Sequence, residues 1–555
     1  MTKTKKQRIL QVSIALLIFT LIIAGCSGGG TNGGSTNKPN GTNESNKGNN
    51  DPQVSDDPVT EDVSYPDKVT YWVALGANAA ATMKDYGEIK AYKKLEEVTG
   101  TTVEFQHPPT GQERDQFNLM IASGKLPDAI EYNWSGAPKG VDSLIKENRI
   151  IRLNELIEEH APNLKKLLDD NPEFKKLVTT DEGNIYTVPF IRNHPSLQSV
   201  NGPVMRKDWL DYLNLSEPKT IAEWETVLTA FRDGDPNQNG EKDEIPYLFH
   251  IPDLDINHLF IGAYGITSGF YNDGGTIKYG PTQPEFKEFL TLMAKWYKEK
   301  LIDQDFATTD GKLRDAKVTG NQLGSLSAYP GSGIGRYTEL AKETTPNFAM
   351  VGTVYPALEK GGYAMGQFSF PFTGEGTAIT ATAKDPEKIL KWLDYKYSDE
   401  GHLLFNFGIE GESYVMEGDY PKFTDTILNN PEGLPITQAM AKYFISGWSG
   451  PIVQDYRYQE QYFQLEEQRN ASARWQTANH EKLMPPVTLT IDESSKVSSI
   501  MNDVKTYRDE MMTRFIMNAE PIENFDKFVS TIESMGVQEA IAAQQAAYDR
   551  FQQRK

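Results

Sequence analysis

Cysteine is all but absent from this chain: one in 555 residues, at position 26. With no second thiol, neither a disulfide framework nor a cysteine metal site is available. Basic residues are outnumbered, 56 Lys and Arg against 77 Asp and Glu, for a net charge of −21. So acidic a balance argues against nucleic acid as a partner. Local enzyme signatures are missing too. The seven histidines show no His-x-x-x-His or His-Glu-x-x-His spacing for zinc. From Lys68 onward there is no Gly-x-Ser-x-Gly elbow and no Gly-x-Gly-x-x-Gly opening a helix after a strand. Ser327 to Gly333 is glycine-rich, yet no Lys-Ser or Lys-Thr follows to hold a phosphate. A carboxylate pair for glycoside hydrolysis is a spatial relation, so a polysaccharide-degrading enzyme stays open as an alternative to the non-enzyme reading.

What is present begins with Lys3, Lys5, Lys6 and Arg8, then a mostly apolar run from Ile9 to Ile23 that is short for a membrane span. Small residues close it at Ala24-Gly25-Cys26. This is the pattern of an export signal, and its ending resembles the lipobox of bacterial lipoproteins. That resemblance implies cleavage before Cys26, lipidation of its sulfur, and a mature chain held at the outer face of the cell membrane. Losing a leader with four basic and no acidic residues takes the net charge to −25. Residues 26–66 are rich in Gly, Ser, Asn and Thr and cannot bury enough apolar area to offset their ordering entropy. A flexible tether of roughly 40 residues reaches about 35 Å.

From Lys68 the composition turns globular. Lys68 to Val73, Thr102 to Phe105 and Asp128 to Tyr132 read as strands. Helical stretches alternate with them, Tyr86 to Val98 closed by Gly100 and Glu113 to Ala122 closed by Gly124. Such alternation predicts an α/β arrangement with a largely parallel sheet, whose ligands bind beyond the carboxyl ends of the strands. Later come Ile185 to Phe190, then Val204-Met205-Arg206-Lys207-Asp208-Trp209-Leu210, the strand Gly376 to Thr382, and Gly408-Ile409-Glu410-Gly411. In this order they resemble the extracellular solute-binding proteins of ABC importers, in the large oligosaccharide- and alginate-binding branch. The resemblance spans about Lys68 to Phe551. It implies a two-lobed periplasmic-binding-protein-like fold, hinged about a ligand cleft. On that basis 67–190 and 375–484 form the first lobe, and 191–374 and 485–555 the second, with a third crossing near Met484-Pro485-Pro486.

One polar stretch carries chemistry of its own. Thr220 to Glu223 is a capping box, and Ile221, Trp224, Val227, Leu228 and Phe231 line one face of the helix it starts. That helix runs into Asp235-Pro236-Asn237-Gln238-Asn239-Gly240-Glu241-Lys242-Asp243-Glu244. The alternating oxygens and the glycine match the early positions of an EF-hand loop, but Pro246 stands where its bidentate Glu would be. By resemblance to alginate-type binding proteins, Ca2+ would take the side chains of Asp235, Asn237, Asn239, Asp243 and Glu244 and the Glu241 carbonyl. Its role would be structural.

For the solute, sugars need aromatic platforms beside polar groups. Trp72, Trp134, Tyr329, Tyr414 and Trp448 sit in loops or at strand ends, and Arg206 is a further polar candidate. The reading is a monomeric, lipid-anchored protein that captures an oligosaccharide for a membrane permease by lobe closure. A binding protein for oligopeptides, or one serving a sensor, is the alternative within the class.

Overall fold

The computed structural model describes residues 64–445 and 449–554; Cys26 and Trp448 lie outside them. β1 (Lys68–Trp72) sends Val69 and Tyr71 into the interior. α1 (Lys90–Thr99) starts later than the stretch expected from Tyr86. The Asp85 carboxylate accepts the Gly87 N–H, a 3-10 turn forms, and Ile89 is extended. The helix stops at Gly100, whose φ of 73° is the left-handed conformation that favours glycine. β2 (Thr102–Gln106), α2 (Glu113–Ser123) and β3 (Ala129–Asn133) complete the alternation, and β4 (Val188–Pro189) follows after four helical segments.

The chain then builds a second layer around β5 (Gly202–Arg206). α3 (Ile221–Asp233) carries the expected capping box, with Thr220 Oγ1 accepting from the Glu223 amide and the Glu223 carboxylate accepting from the Thr220 amide. After α4 (Ile251–Asn257) come the hairpin β6 (Phe270–Asp273) and β7 (Thr276–Tyr279), then β8 (Ser325–Ala328) and β9 (Met350–Gly352). This sheet has the order β9-β5-β8 and is antiparallel throughout. β10 (Glu375–Ile379) returns to the first sheet, whose order is β2-β1-β3-β10-β4. Only β1, β2 and β3 pair in parallel; β10 runs antiparallel to both β3 and β4. α5 (Pro386–Asp394) covers this sheet, while α6 (Ile491–Ile516) and α7 (Val537–Gln553) close the chain.

Two hydrophobic cores result, and the fold is a two-lobed α/β protein. The first core runs from Val69 to Ile191 and from Phe372 to Tyr458, and it also takes in Phe551. The second runs from Val204 to Tyr355 and from Ala471 to Val537. In the second, Phe260 meets Trp224, Tyr247 and Trp296 edge-on at 5.0–5.2 Å. Each such pair adds about 1 kcal/mol beyond its area. The third change of lobe comes between Tyr458 and Ala471, upstream of the expected Met484. Pro485-Pro486 instead opens the irregular stretch that leads to Thr490, the N-cap of α6.

Candidate functional site

Strand direction decides which edges of the two sheets the crossings join. β4 runs parallel to β3, so the first crossing leaves, and the second returns through β10, at the carboxyl edge of the first sheet. In the second sheet Gly202 of β5 pairs with Ala328 of β8, and Val204 with Gly352 of β9. The edge where β5 enters therefore also carries Tyr329 and Thr353. The crossings join these two edges, and the candidate site is the region beside them.

On the first lobe the rim is polar. Asn133 donates to Glu375 (3.2 Å), Thr373 donates to the same carboxylate, and Arg192 donates to Thr373 at 3.2 Å. The second lobe answers with amides and hydroxyls. Ser327 Oγ and Asn257 Nδ2 both donate to Asn201 Oδ1, at 2.8 and 3.3 Å, and Asn257 also donates to Ser327. Beneath Tyr329 lies a cavity of about 160 Å³ that Asn201, Asp253, Arg314 and Ser327 help to wall. Stacked rings stand on and beside the crossings: His194 on Tyr456 (4.0 Å between centroids) and Phe368 on His480 (4.2 Å), with Phe370 edge-on to Phe368. None of these crossing residues stood out in the sequence. The run Phe368-Ser369-Phe370-Pro371-Phe372 was the available signal, three aromatics flanked by Gly366 and Gly374.

Of the five described side chains expected to touch solute, Tyr329 alone is exposed at the edge, at 42 %. Trp72 packs against Phe117 and Tyr132, and Trp134 donates its indole N–H to the Gly376 carbonyl at 3.0 Å. Both are core residues, because their neighbours on β3 and α2 close over them. Tyr414 is buried against Phe407. Arg206 ends β5 and so sits at the edge away from the crossings. It is 1 % exposed, held by Asp208 at 2.6–2.8 Å and sandwiched between Trp209 and Phe348. Trp448 is not among the described residues.

The Asp/Asn loop lies in the second lobe at the end of α3. Asn237 and Asn239 each donate an amide to Asp243 Oδ1 at 3.0 Å, and Gln322 donates to its other oxygen at 2.9 Å. These hydrogen bonds hold the Asp243 carboxyl below the usual range against its burial. The backbone amides of Asn239 and Gly240 donate to Asp235. Among the described residues no three acidic, imidazole or thiol groups converge as they would on an ion. Glu244 is the exception to this satisfied network. Both its carboxylate oxygens are buried without a hydrogen-bond partner among the described residues. Burial above all, helped by the charges of Asp243 and Asp235, pushes its carboxyl upward against the opposing backbone amides of Glu244 and Asn237. A buried carboxylate facing other acids is what a cation would favour. The donor set, all hard oxygens, fits calcium.

Comparison with known proteins follows this geometry. The family profile described as bacterial extracellular solute-binding protein matches residues 79–402. The fructooligosaccharide ABC transporter substrate-binding protein FusA of Streptococcus pneumoniae serotype 4 is 26% identical over 505 residues, which is 86% of this chain and 90% of that protein. Lipoprotein LipO of Bacillus subtilis is 25% identical over 64% of this chain and 69% of its own length. Among solved structures, the alginate-binding protein AlgQ2 without calcium ion superposes with a TM-score of 0.70 at 25% identity, covering 88% of this chain and 99% of that one.

Proposed function

Because this chain belongs to the bacterial extracellular solute-binding proteins, we propose that it captures an oligosaccharide outside the cell and delivers it to an ABC-type importer. The observation that carries the reading is the pair of sheet edges that the crossings join. Two lobes, each with its own core, meet through three crossings, with polar rims and stacked aromatics beside them. A two-lobed body of this kind works by closing on its solute, and closure is favoured by whatever differential contact the solute makes with the closed form. The rim amides and hydroxyls suit sugar hydroxyls; Tyr329 and the rings on the crossings suit the apolar faces of the sugar. The charges at the rim are mixed, with Arg192 3.7 Å from Glu375 and Arg314 on the same cavity wall as Asp253, so a neutral or mixed oligosaccharide is preferred over a polyanion. Arg206, once a candidate to attract an acidic sugar, is spent in the core.

Two further elements complete the proposal. Cys26 carries the lipid anchor, and the protein works as a monomer beside its permease. Calcium is held by Asp235, Asn237, Asn239, Asp243 and Glu244 with the Glu241 carbonyl. There it supplies positive charge to Glu244 and fixes the loop between α3 and the Asn321–Gln322 turn, which already touches Asn237 and Asp243. It takes no part in binding sugar. The test is a thermal-shift screen of neutral oligosaccharides, acidic oligosaccharides and peptides against the full chain. A ligand that binds the native state alone raises Tm, by about 2.7 kcal/mol of added stability at a hundredfold excess over Kd. A rise with neutral oligosaccharides is expected. A rise with peptides alone would replace the reading with the oligopeptide-binding alternative.

A further inference from the structure

A second cavity, of about 470 Å³, opens in the second lobe between α4, the hairpin β6–β7, the irregular stretch Met484–Val487 and helix α6. It shares no lining residue with the cavity beneath Tyr329. Asp253 borders that one and Asp255 borders this one, on opposite faces of α4. The size lies within the range of about 300–1,000 Å³ typical of small-molecule sites.

Its polar floor is unevenly satisfied. Arg508 is 3 % exposed and makes four hydrogen bonds, two to Asp255, one to the Ser268 carbonyl and one to Asp509, at 2.6–3.2 Å. Asp255 is matched in turn by Arg508, Lys505 (2.6 Å) and Ser268 (2.6 Å). Every charge here has a partner. Two neutral groups do not. Tyr279 is wholly buried, and its hydroxyl, beside the Arg508 guanidinium, makes no well-formed hydrogen bond among the described residues. The buried Nδ1 of His258 is likewise unpartnered. Burial lowers the His258 imidazole to about 4, so at neutral pH it is an uncharged hydrogen-bonding group. A buried hydroxyl left without a hydrogen bond keeps its desolvation cost uncompensated.

The backbone beside these groups is strained. Phe260 has φ 65° and ψ −45°, and the Ile261 amide donates to the Leu259 carbonyl at 2.9 Å across it. This is a γ-turn of the rare, strained hand. His258, two residues earlier, is also left-handed at φ 56°. The cage of Trp224, Tyr247 and Trp296 around Phe260 holds the turn and so fixes His258 at the cavity wall. Strain of this kind persists where the surroundings over-determine it, and such places cluster at ligand clamps.

We propose that this cavity is a second ligand site, separate from the cleft between the lobes, which takes a small uncharged polyhydroxylated molecule the size of one sugar ring. Balanced charges leave nothing to desolvate an ionic ligand against. The buried free hydrogen-bonding groups are one hydroxyl and one neutral imidazole, and the Gln544 amide lines the same cavity. Opposite them Phe270, Pro485, Pro486 and Met501 offer an apolar wall for the face of a ring.

Glucose serves as the probe, with the full chain labelled at its methionine methyl groups. Met484 and Met501 line the cavity, so their signals read this site whatever the cleft binds. Titration should move both signals in wild type. Tyr279→Phe, which keeps the ring and removes the hydroxyl, should weaken the response roughly five- to tenfold, the loss of one hydrogen bond. Met501→Trp should fill the space and silence Met484. Unmoved Met484 and Met501 signals at tens of millimolar glucose overturn the proposal. So does a response equal in wild type and Tyr279→Phe.

Discussion

Lys396 carries its ammonium into the first core, where it is 0 % exposed. Four rings surround it, with centroids at 4.7 Å (Phe405), 4.9 Å (Tyr92), 5.2 Å (Trp392) and 5.8 Å (Tyr71). It donates to the Tyr92 hydroxyl at 3.2 Å, while Tyr71 donates to nearby Glu131 at 2.8 Å. Burial pulls the lysine down to about 7, with Glu131 opposing, and pushes the Glu131 carboxyl upward. The sign of the consequence is fixed. Between about pH 7 and the ordinary lysine value near 10.4, the folded chain has released a proton that the unfolded chain still holds. Stability gained from this group therefore rises with pH across that window, by up to about 1.4 kcal/mol per pH unit. Chemical denaturation of wild type against the paired variant Glu131→Gln/Lys396→Met should show the difference growing in favour of wild type from pH 7 to pH 9.5. A difference independent of pH would mean that the lysine stays charged in its cage. Nothing in the sequence marks this group: Lys396 stands in Asp394-Tyr395-Lys396-Tyr397, an ordinary helix end, and only the fold wraps it.

At the scale of the element, the loop after α3 makes a testable unit. Glu244→Gln keeps the shape and removes the buried charge. In calcium-free solution the variant should be at least as stable as wild type, since a buried unpaired carboxylate costs folding free energy. With calcium added, wild type should gain Tm and the variant should gain much less. Equal gains would show that Glu244 is not a ligand. The capping box before this loop and the glycine stops at Gly100 and Gly124 were legible because each is written within a few consecutive residues. The solute platforms were not. Trp72 and Trp134 end strands exactly as surface platforms do, and what buries them is Phe117 on α2, more than 40 residues from Trp72. Arg206 misled for another reason. Which end of β5 faces the crossings depends on its antiparallel pairing with Ser325–Ala328, a contact over 120 residues away. The third crossing failed because Pro485-Pro486 is a strong local break inside one lobe, whereas the true change of lobe near Phe463 carries no such mark.

Across the whole molecule, α7 adds a link that the sequence reading gave wholly to the second lobe. Val537 at its start belongs to the second core, and Phe551 near its end belongs to the first. At 17 residues and 1.5 Å per residue it spans about 25 Å. Its last turn is clamped to the first lobe: Arg550 Nε and Arg554 Nε donate to the two oxygens of Asp181 at 2.8 and 2.7 Å. Arg550 also grips Glu493 of α6, and Lys176 lies 4.8 Å over the Phe551 ring. The helix is thus a strut set apart from the three crossings. A contact off the axis that the crossings define must slip or break when the lobes rotate. Charge-assisted hydrogen bonds of this kind contribute about 1.5–3 kcal/mol each when formed. Part of that is a resistance to closure that bound solute must overcome. Asp181→Ala should therefore lower Tm and at the same time tighten binding of the oligosaccharide several-fold, with faster amide exchange in residues 545–554. Arg554→Gln, which spares the Arg550 contact, should shift both quantities the same way and by less. Calorimetric titration on the two variants separates the alternatives: a lower Tm with unchanged affinity would make the strut a structural brace alone, and a weaker affinity would mean that the closed form needs the clamp.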